Sequence, residues 1–524
     1  MSVRLAYLLL CLPLTLFGQP KKTVSTQNQA AARFGAYVQQ AVRNWRVPGL
    51  TVTVVKDGQV VFKQGYGIRE QPTGPPAVSM AAPVNTQTLF AMASTTKAMT
   101  AAALGLLVDE GKLRWDDPVQ TYLPDFQLYD PYATRELRVR DLLTHNAGVG
   151  NADFLWGLMQ LPSDEILRRM RFVKPTYSFR SSFVYQNIMY LAAGKVIEKV
   201  GGQPWGTFMQ QRLFGPLGMT RTRAYFRDVT DPNRAKPHVL LNDTVRVVNS
   251  RTEEGLVDAI GPAGSVWSCA DDLVPWMRCM LDSGRLSPTQ RLLKPTTWAE
   301  LTKPQVLVPD EHFYPTQRLT KPVWKSYGLG WFMHDYRGHR VNFHTGSLLG
   351  MVALHGQLPD YKLAVYVQAN LDHAELRHAL MYRAFDEFAL DAPAGATRDW
   401  SAELLTLYGA IRKRAEQRER QADSTHVLNT KPSLPVADYV GTYADPLYGR
   451  ADVTLQNGTL RVSINDLYAA RLDHWHYDTF RATYDQIWNR PALISFVLGP
   501  DGKVARLEWS GLRLEKEVRP VMVK

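Results

Sequence analysis

The sequence predicts an α+β fold: an antiparallel sheet flanked by helices, with a mostly helical insertion, followed by a small all-β barrel. Three observations lead there. Two β-rich runs, Leu50–Val55 and Gln59–Gln64, meet at Lys56-Asp57-Gly58, a hairpin by its turn chemistry. Helical segments follow, and strand-like runs return only around Lys325–Asn370, where Leu363, Val365 and Val367 alternate with Ala364, Tyr366 and Gln368. From Val436 the chain reads as all β. Asn457-Gly458 joins Ala451–Gln456 to Thr459–Ile464, and Gly499-Pro500-Asp501-Gly502 joins Leu493–Leu498 to Lys503–Glu508.

In chain order, Arg4 precedes an apolar run over 5–17, then Gly18-Gln19-Pro20. A positive start, a short apolar stretch and a small residue predict a cleaved signal peptide over 1–19. The run is shorter than the roughly 20 residues of a membrane span. The expectation is an exported protein, periplasmic or secreted, with no stable membrane span after cleavage. Ala30–Trp45 has helical periodicity and stops before Arg46-Val47-Pro48-Gly49. A main domain is expected over 28–395 and a helical, polar linker over 396–435, from the amphipathic Trp400–Tyr408 and the mixed charge of Ile411–Arg420. The barrel occupies 436–524.

Composition bounds the function classes. With 524 residues, 45% hydrophobic and 21% charged, the chain is an ordinary globular one, long enough for several domains. Its formal charge is +12, yet from Asp438 onward Lys/Arg and Asp/Glu number eleven each, so the excess lies upstream. It is scattered, apart from Lys21-Lys22 and Arg412-Lys413-Arg414. That suits anionic envelope polymers or carboxylate-bearing substrates, and it excludes nucleic acid as a partner. Of three cysteines, Cys11 leaves with the signal. Cys269 and Cys279, about 15 Å apart on a continuous helix, are predicted to be free thiols. No Cys/His cluster has zinc spacing, so neither metal nor other cofactor is expected.

The chemistry is carried by Ser94-Thr95-Thr96-Lys97, ahead of the apolar, helix-forming Ala98–Leu107. A hydroxyl nucleophile needs a base, and residues three apart on a helix share a face, so Lys97 is placed beside Ser94. Two downstream elements complete the set. Tyr185-Gln186-Asn187 offers a phenol, which becomes a base only beside cations, and an amide for the lysine or for a substrate carbonyl. His344-Thr345-Gly346-Ser347 ends a strand-like run, where a small Gly346 lets another backbone lie close.

On these motifs the chain resembles the serine β-lactamase and penicillin-binding protein superfamily, whose signature is S-x-x-K, an S-D-N-type element and K-T-G. Tyr-x-Asn as the second element resembles the class C branch, with its esterases, DD-carboxypeptidases and D-aminopeptidases. Leu142-Leu143-Thr144-His145-Asn146-Ala147-Gly148, Pro262-Ala263-Gly264 and Tyr327-Gly328-Leu329-Gly330-Trp331 continue that resemblance, and the C-terminal strands resemble the lipocalin-like barrel of many peptidase-type relatives. One departure stands out: His344 replaces the family lysine, which counts against efficient β-lactam hydrolysis.

The resemblance implies acyl transfer. Ser94 would attack a carbonyl, with Lys97 and Tyr185 sharing the base role. The backbone N–H groups of Ser94 and Ser347 would form the oxyanion hole. Asn187 would orient substrate and Lys97, and His344, Thr345 and Gly346 would line the opposite wall. The implied substrates are short peptides, including D-residue peptides, or esters. The alternatives are a β-lactamase and a slow-acylating, penicillin-recognising binding protein. A histidine also carries a conditional charge, so His344 is expected to tune substrate charge preference between about pH 5 and 8. All the motifs lie upstream of the barrel, for which covering the active-site mouth, substrate binding, self-association and simple stabilisation stay open.

Overall fold

The computed structural model describes residues 21–72, 82–390, 398–465 and 467–517. Strands β1 (Gly49–Lys56) and β2 (Gln59–Gly67) form the predicted hairpin. Asp57 and Gly58 both take positive φ, 49° and 74°, the turn whose twist matches its strands. Six strands come from the second half: β3 (Val306–Leu307), β4 (Lys325–Tyr327), β5 (Phe332–Tyr336), β6 (His339–Leu348), β7 (Met351–Leu358) and β8 (Leu363–Ala369). The eight pair antiparallel in the order β2-β1-β8-β7-β6-β5-β4-β3. The first hairpin thus closes onto the last strand, with Val52 opposite Val367.

Eight helices frame the site: α1 (Lys21–Asn44), α2 (Thr96–Asp109), α3 (Phe154–Gly157), α4 (Ile188–Gly201), α5 (Gly261–Gly264), α6 (Ala270–Leu281), α7 (Leu376–Phe388) and α8 (Trp400–Ser424). Alternation along β8 does not produce an exposed face, because all seven residues are buried. Leu363, Val365 and Val367 pack with Phe34 of α1 and Leu380 and Phe385 of α7. Ala364 and Tyr366 turn the other way, onto the cluster built around α2 and α4. Both faces of the sheet are covered, so the polar atoms on it need internal partners. Tyr366 Oη donates to Thr95 Oγ1 (2.7 Å), and Gln368 Nε2 to the Ser268 carbonyl (3.0 Å).

Helix α2 is buried from Thr96 to Leu107. Its run of Ala, Leu and Met leaves no polar face, and such a helix is stable only at the centre of a core. The predicted helix start at Ser94 is shifted slightly. Ala93–Thr95 forms a 3₁₀ turn and the α-helix begins at Thr96. Cys269 and Cys279 are free and buried, at and within α6.

The linker region begins inside the core. Trp400 of α8 is fully buried, donates to Asp386 Oδ2 (2.8 Å), and stacks on Tyr382 with ring centroids 4.8 Å apart. Beyond Tyr408 the helix is largely solvent-facing and mixed in charge. The barrel follows as a closed meander of β9 (Gly441–Asp445), β10 (Gly449–Gln456), β11 (Thr459–Ser463), β12 (Ala469–His476), β13 (Thr479–Tyr484), β14 (Ala492–Leu498), β15 (Val504–Trp509) and β16 (Leu512–Lys516). Closure removes free sheet edges. The barrel has its own core, including Tyr439, Tyr443, Phe480 and Phe496.

The expected signal segment, 1–19, lies outside the described residues. Among the described residues no helix is long and apolar enough to cross a membrane.

The docking of α8 gives a stability prediction. Trp400→Ala removes a buried aromatic and orphans Asp386 Oδ2, so unfolding free energy should fall by about 3–5 kcal/mol. A urea melt followed by circular dichroism measures it. An unchanged midpoint would mean that α8 is a loosely attached linker after all.

Candidate active site

The turn carrying Ser94 is forced into shape from several sides. Ala93 holds a left-handed φ of 46°, unusual for a residue with a Cβ. The Met92 N–H donates to the Val266 carbonyl (2.7 Å) and Thr95 Oγ1 to the Met92 carbonyl (2.7 Å). Strand β6 presses against the same turn. A Cβ on Gly346 would lie 2.4 Å from the Met92 carbonyl oxygen and 2.9 Å from the Ser94 nitrogen. Only glycine fits that approach, so Gly346 admits the nucleophile's own backbone. Ser347 is thereby brought next to Ser94.

Lys97, one turn on, is 0% exposed. Its Nζ donates to Asn187 Oδ1 (2.6 Å) and to the Ala263 carbonyl (2.8 Å), and lies 3.0 Å from Ser94 Oγ. A neutral amine has two N–H donors and one lone pair. Asn187 Oδ1 and the Ala263 carbonyl are acceptors only, so they take both hydrogens and leave the lone pair for the Ser94 hydroxyl. Burial favours that neutral form. It draws the Lys97 pKa down to about 7, opposed by the Asp153 carboxylate.

Tyr185 brings its ring within 4.8 Å of Lys97 Nζ, with Tyr190 at 5.2 Å. The Tyr185 hydroxyl is buried and makes no hydrogen bond among the described residues. Burial raises its pKa well above 10, while Ser94, close by without good hydrogen-bond geometry, opposes the rise. The phenol therefore stays protonated at neutral pH. His145 lies against it with centroids 4.3 Å apart and the rings tilted by 31°, and is itself kept neutral, by burial and by the Lys97 charge.

The third element divides. Ser347 is exposed and its Oγ accepts from Arg377 Nη1 (2.8 Å). Thr345 is buried, its Oγ1 2.5 Å from Tyr314 Oη. His344 is 1% exposed and both its nitrogens are engaged: Nδ1 donates to the Thr345 carbonyl (2.6 Å) and Nε2 accepts from Tyr327 Oη (2.9 Å). Burial, then the Lys97 charge, draws its pKa down to about 3. The expected conditional charge between pH 5 and 8 is therefore corrected: His344 is a neutral strut between β6 and β4.

Sequence reasoning missed three groups. Asp153, just ahead of α3, accepts from Asn187 Nδ2 (2.8 Å), Asn151 Nδ2 (3.0 Å) and Trp156 Nε1 (2.9 Å). It sits five residues beyond Gly148, and no spacing rule connects it to Asn187. Arg377, on α7, donates to the Gly346 carbonyl and is paired with Glu375 at 3.0 Å. The Ala263 carbonyl is a backbone group, which a side-chain motif cannot reveal. Among the described residues no group of three or more His, Cys, Asp or Glu is arranged to hold a metal ion.

The β-lactamase family model matches residues 34–387, about two thirds of the chain. The chain belongs to the β-lactamase family. A second model, a domain of unknown function called DUF3471, matches residues 425–523 and covers the barrel. The unguisins hydrolase ungD of Aspergillus violaceofuscus is 25% identical over 507 residues, covering 90% of this chain and 86% of that protein. The octameric penicillin-binding protein homologue from Pyrococcus abyssi superposes with a TM-score of 0.57 at 21% identity, over 93% of this chain and 99% of that one. The D-amino acid amidase from Ochrobactrum anthropi SV3, solved with D-phenylalanine, gives 0.54 at 19% identity, over 72% and 99%. These two structures share the fold. With its family shown, this member is a serine hydrolase.

The corrected state of His344 gives a pH prediction. Its pKa of about 3 keeps it neutral throughout pH 5–8. The ratio of kcat/KM for a carboxylate substrate to that for its methyl ester should therefore be flat across the window. A ratio rising as pH falls from 8 to 5 would show that His344 charges in the cleft.

Proposed function

We propose that this β-lactamase-family hydrolase is exported and cleaves short peptides or small esters and amides through an acyl-enzyme on Ser94. The observation that carries this reading is the Lys97 amine, with both hydrogens taken by Asn187 Oδ1 and the Ala263 carbonyl and its lone pair left for Ser94 Oγ at 3.0 Å. Lys97 is the base for acylation. It takes the Ser94 proton as Oγ bonds to the substrate carbonyl carbon. Tyr185, protonated, gives its proton to the departing nitrogen or oxygen, and the Lys97 ammonium restores it. Deacylation runs the same path in reverse, with water in the place of the leaving group.

The backbone N–H groups of Ser94 and Ser347 receive the developing oxyanion. The packing of Gly346 on the Ser94 nitrogen supports that pairing. Asn187 serves as an acceptor that aims Lys97. The wall formed by β6 offers no fixed cation from His344, which favours neutral amides and esters over carboxylate-bearing β-lactams. Similarity to a putative D-alanyl-D-alanine carboxypeptidase of Escherichia coli and to a D-amino acid amidase supports peptide-like substrates, with D-residues among them. The signal-like sequence over 1–19 supports export, and N-terminal sequencing of the mature protein should begin near Gln19 or Pro20.

Two measurements test the reading. A serine-directed fluorophosphonate should add a single label to the peptide containing Ser94; labelling that persists in Ser94→Ala overturns the assignment. Because Lys97 must be neutral to act, kcat/KM for a p-nitrophenyl ester should rise as pH passes upward through about 7. Lys97→Arg, charged at every accessible pH, should lose about 10²–10⁴ in rate. A profile flat through pH 7, or an active Lys97→Arg protein, would transfer the base role to another group.

A further inference from the structure

The barrel lies downstream of every catalytic motif, yet three of its loops reach the segments that hold Lys97. Tyr448 packs its ring on Phe154, with centroids 4.8 Å apart. Asn465 donates through Nδ2 to the Leu158 carbonyl (2.6 Å) and accepts through Oδ1 from Gln160 Nε2 (3.2 Å). The same Oδ1 accepts from the Leu467 and Tyr468 N–H groups, so Asn465 is fixed on its own turn before it reaches across. Gly449, at a φ of 83°, leaves only 2.9 Å between a would-be Cβ and Met159 Cε. Leu447 accepts from Arg169 Nη1 (2.9 Å). Farther along the barrel rim, Trp488 Nε1 donates to Glu253 Oε1 (3.0 Å).

The two segments touched in this way lead directly to the two acceptors of Lys97. Residues 153–160 begin with Asp153, whose carboxylate takes the Asn187 amide while the other end of that amide takes Lys97. Residues 251–260 lead into α5, whose Ala263 carbonyl is the second acceptor. α3 has only four residues, and a helix that short does not hold its own geometry. Its position is set by what packs on it.

We propose that Asp153 is a positioning residue for Lys97, and that the barrel, through Tyr448 and Asn465, holds the 153–160 segment so that Asp153 keeps Asn187 aimed at the amine. The proposal rests on the reading of Lys97 as the base. The titratable groups facing Lys97 are Asp153, His145, His344 and the phenols of Tyr185 and Tyr190. Burial holds both histidines neutral, and it holds both phenols protonated. Asp153 is thus the negative charge that favours the Lys97 ammonium. Without it, the amine gives up its proton at lower pH, and Asn187 loses the acceptor that orients it.

The experiment uses the full-length protein and the pH profile of kcat/KM on a p-nitrophenyl ester. Asp153→Asn should cut kcat/KM at pH 8 at least tenfold and move the acid limb to lower pH, whereas Asp153→Glu should restore the limb. Asn465→Ala and Tyr448→Leu should each lower kcat/KM severalfold and move the limb in the same direction. Combined with Asp153→Asn, they should add little, because all act through one group. Hydrogen exchange in the 153–160 peptide should speed up in both barrel variants. Tyr448→Leu leaves the barrel's hydrogen bonds intact and decides the matter if Asn465→Ala does not fold.

Barrel variants with wild-type rate, limb and exchange would overturn the barrel's role, whatever the wild-type profile. An Asp153→Asn limb that stays in place would overturn Asp153's. A wild-type profile without an acid limb near pH 7, by contrast, would contradict the base assignment itself.

Discussion

A lysine amine sealed from water cannot carry its charge cheaply, and the rest of this active site is arranged around that constraint. Taking an ammonium out of water costs several kcal/mol unless it is paired, so burial pushes Lys97 toward neutrality. The amine then needs two acceptors and offers one lone pair. Asn187 Oδ1 and the Ala263 carbonyl fill the first need, and Ser94 Oγ is left for the second. Each partner depends on a different part of the fold. Asn187 immediately precedes α4, Ala263 lies in the short α5, and Ser94 sits on a strained turn pinned by Tyr366 from β8 and by the approach of Gly346 from β6.

Much of this was legible in the sequence, because it depends on short-range periodicity. Ser94 and Lys97 are three apart, and that spacing alone puts them on one face. Asp57-Gly58 and Asn457-Gly458 carry the positive φ values of two-residue hairpins, so both turns could be read directly. What was illegible depends on distance along the chain and on burial. β8 alternates in sequence like a half-exposed strand, but layers on both faces bury all of it. His344 reads as a titrating side chain until Tyr327, from another strand, and the Thr345 carbonyl occupy its two nitrogens. Asp153 has no motif at all; it meets Asn187 only because the chain returns there 34 residues later.

The barrel shows how a domain without catalytic groups can still belong to a site. Its core is separate, but its loops rest on residues 153–160, which hold Asp153 against Asn187, and on Glu253, in the segment that leads to Ala263. α8 is anchored in the same spirit, with Trp400 buried against α7 while its far half faces solvent. In a chain built this way, changes in the barrel reach the chemistry through geometry, without a contact to substrate.

The central claim is that Lys97 is a neutral base at working pH, and direct titration of its amine tests it. In protein carrying ¹³C-labelled lysine, the Cε resonance that disappears in Lys97→Arg should titrate with a midpoint near 7. A Lys97 resonance that titrates near the ordinary lysine value of about 10.4 would mean that the amine is charged when Ser94 reacts, and that some other group takes the serine proton.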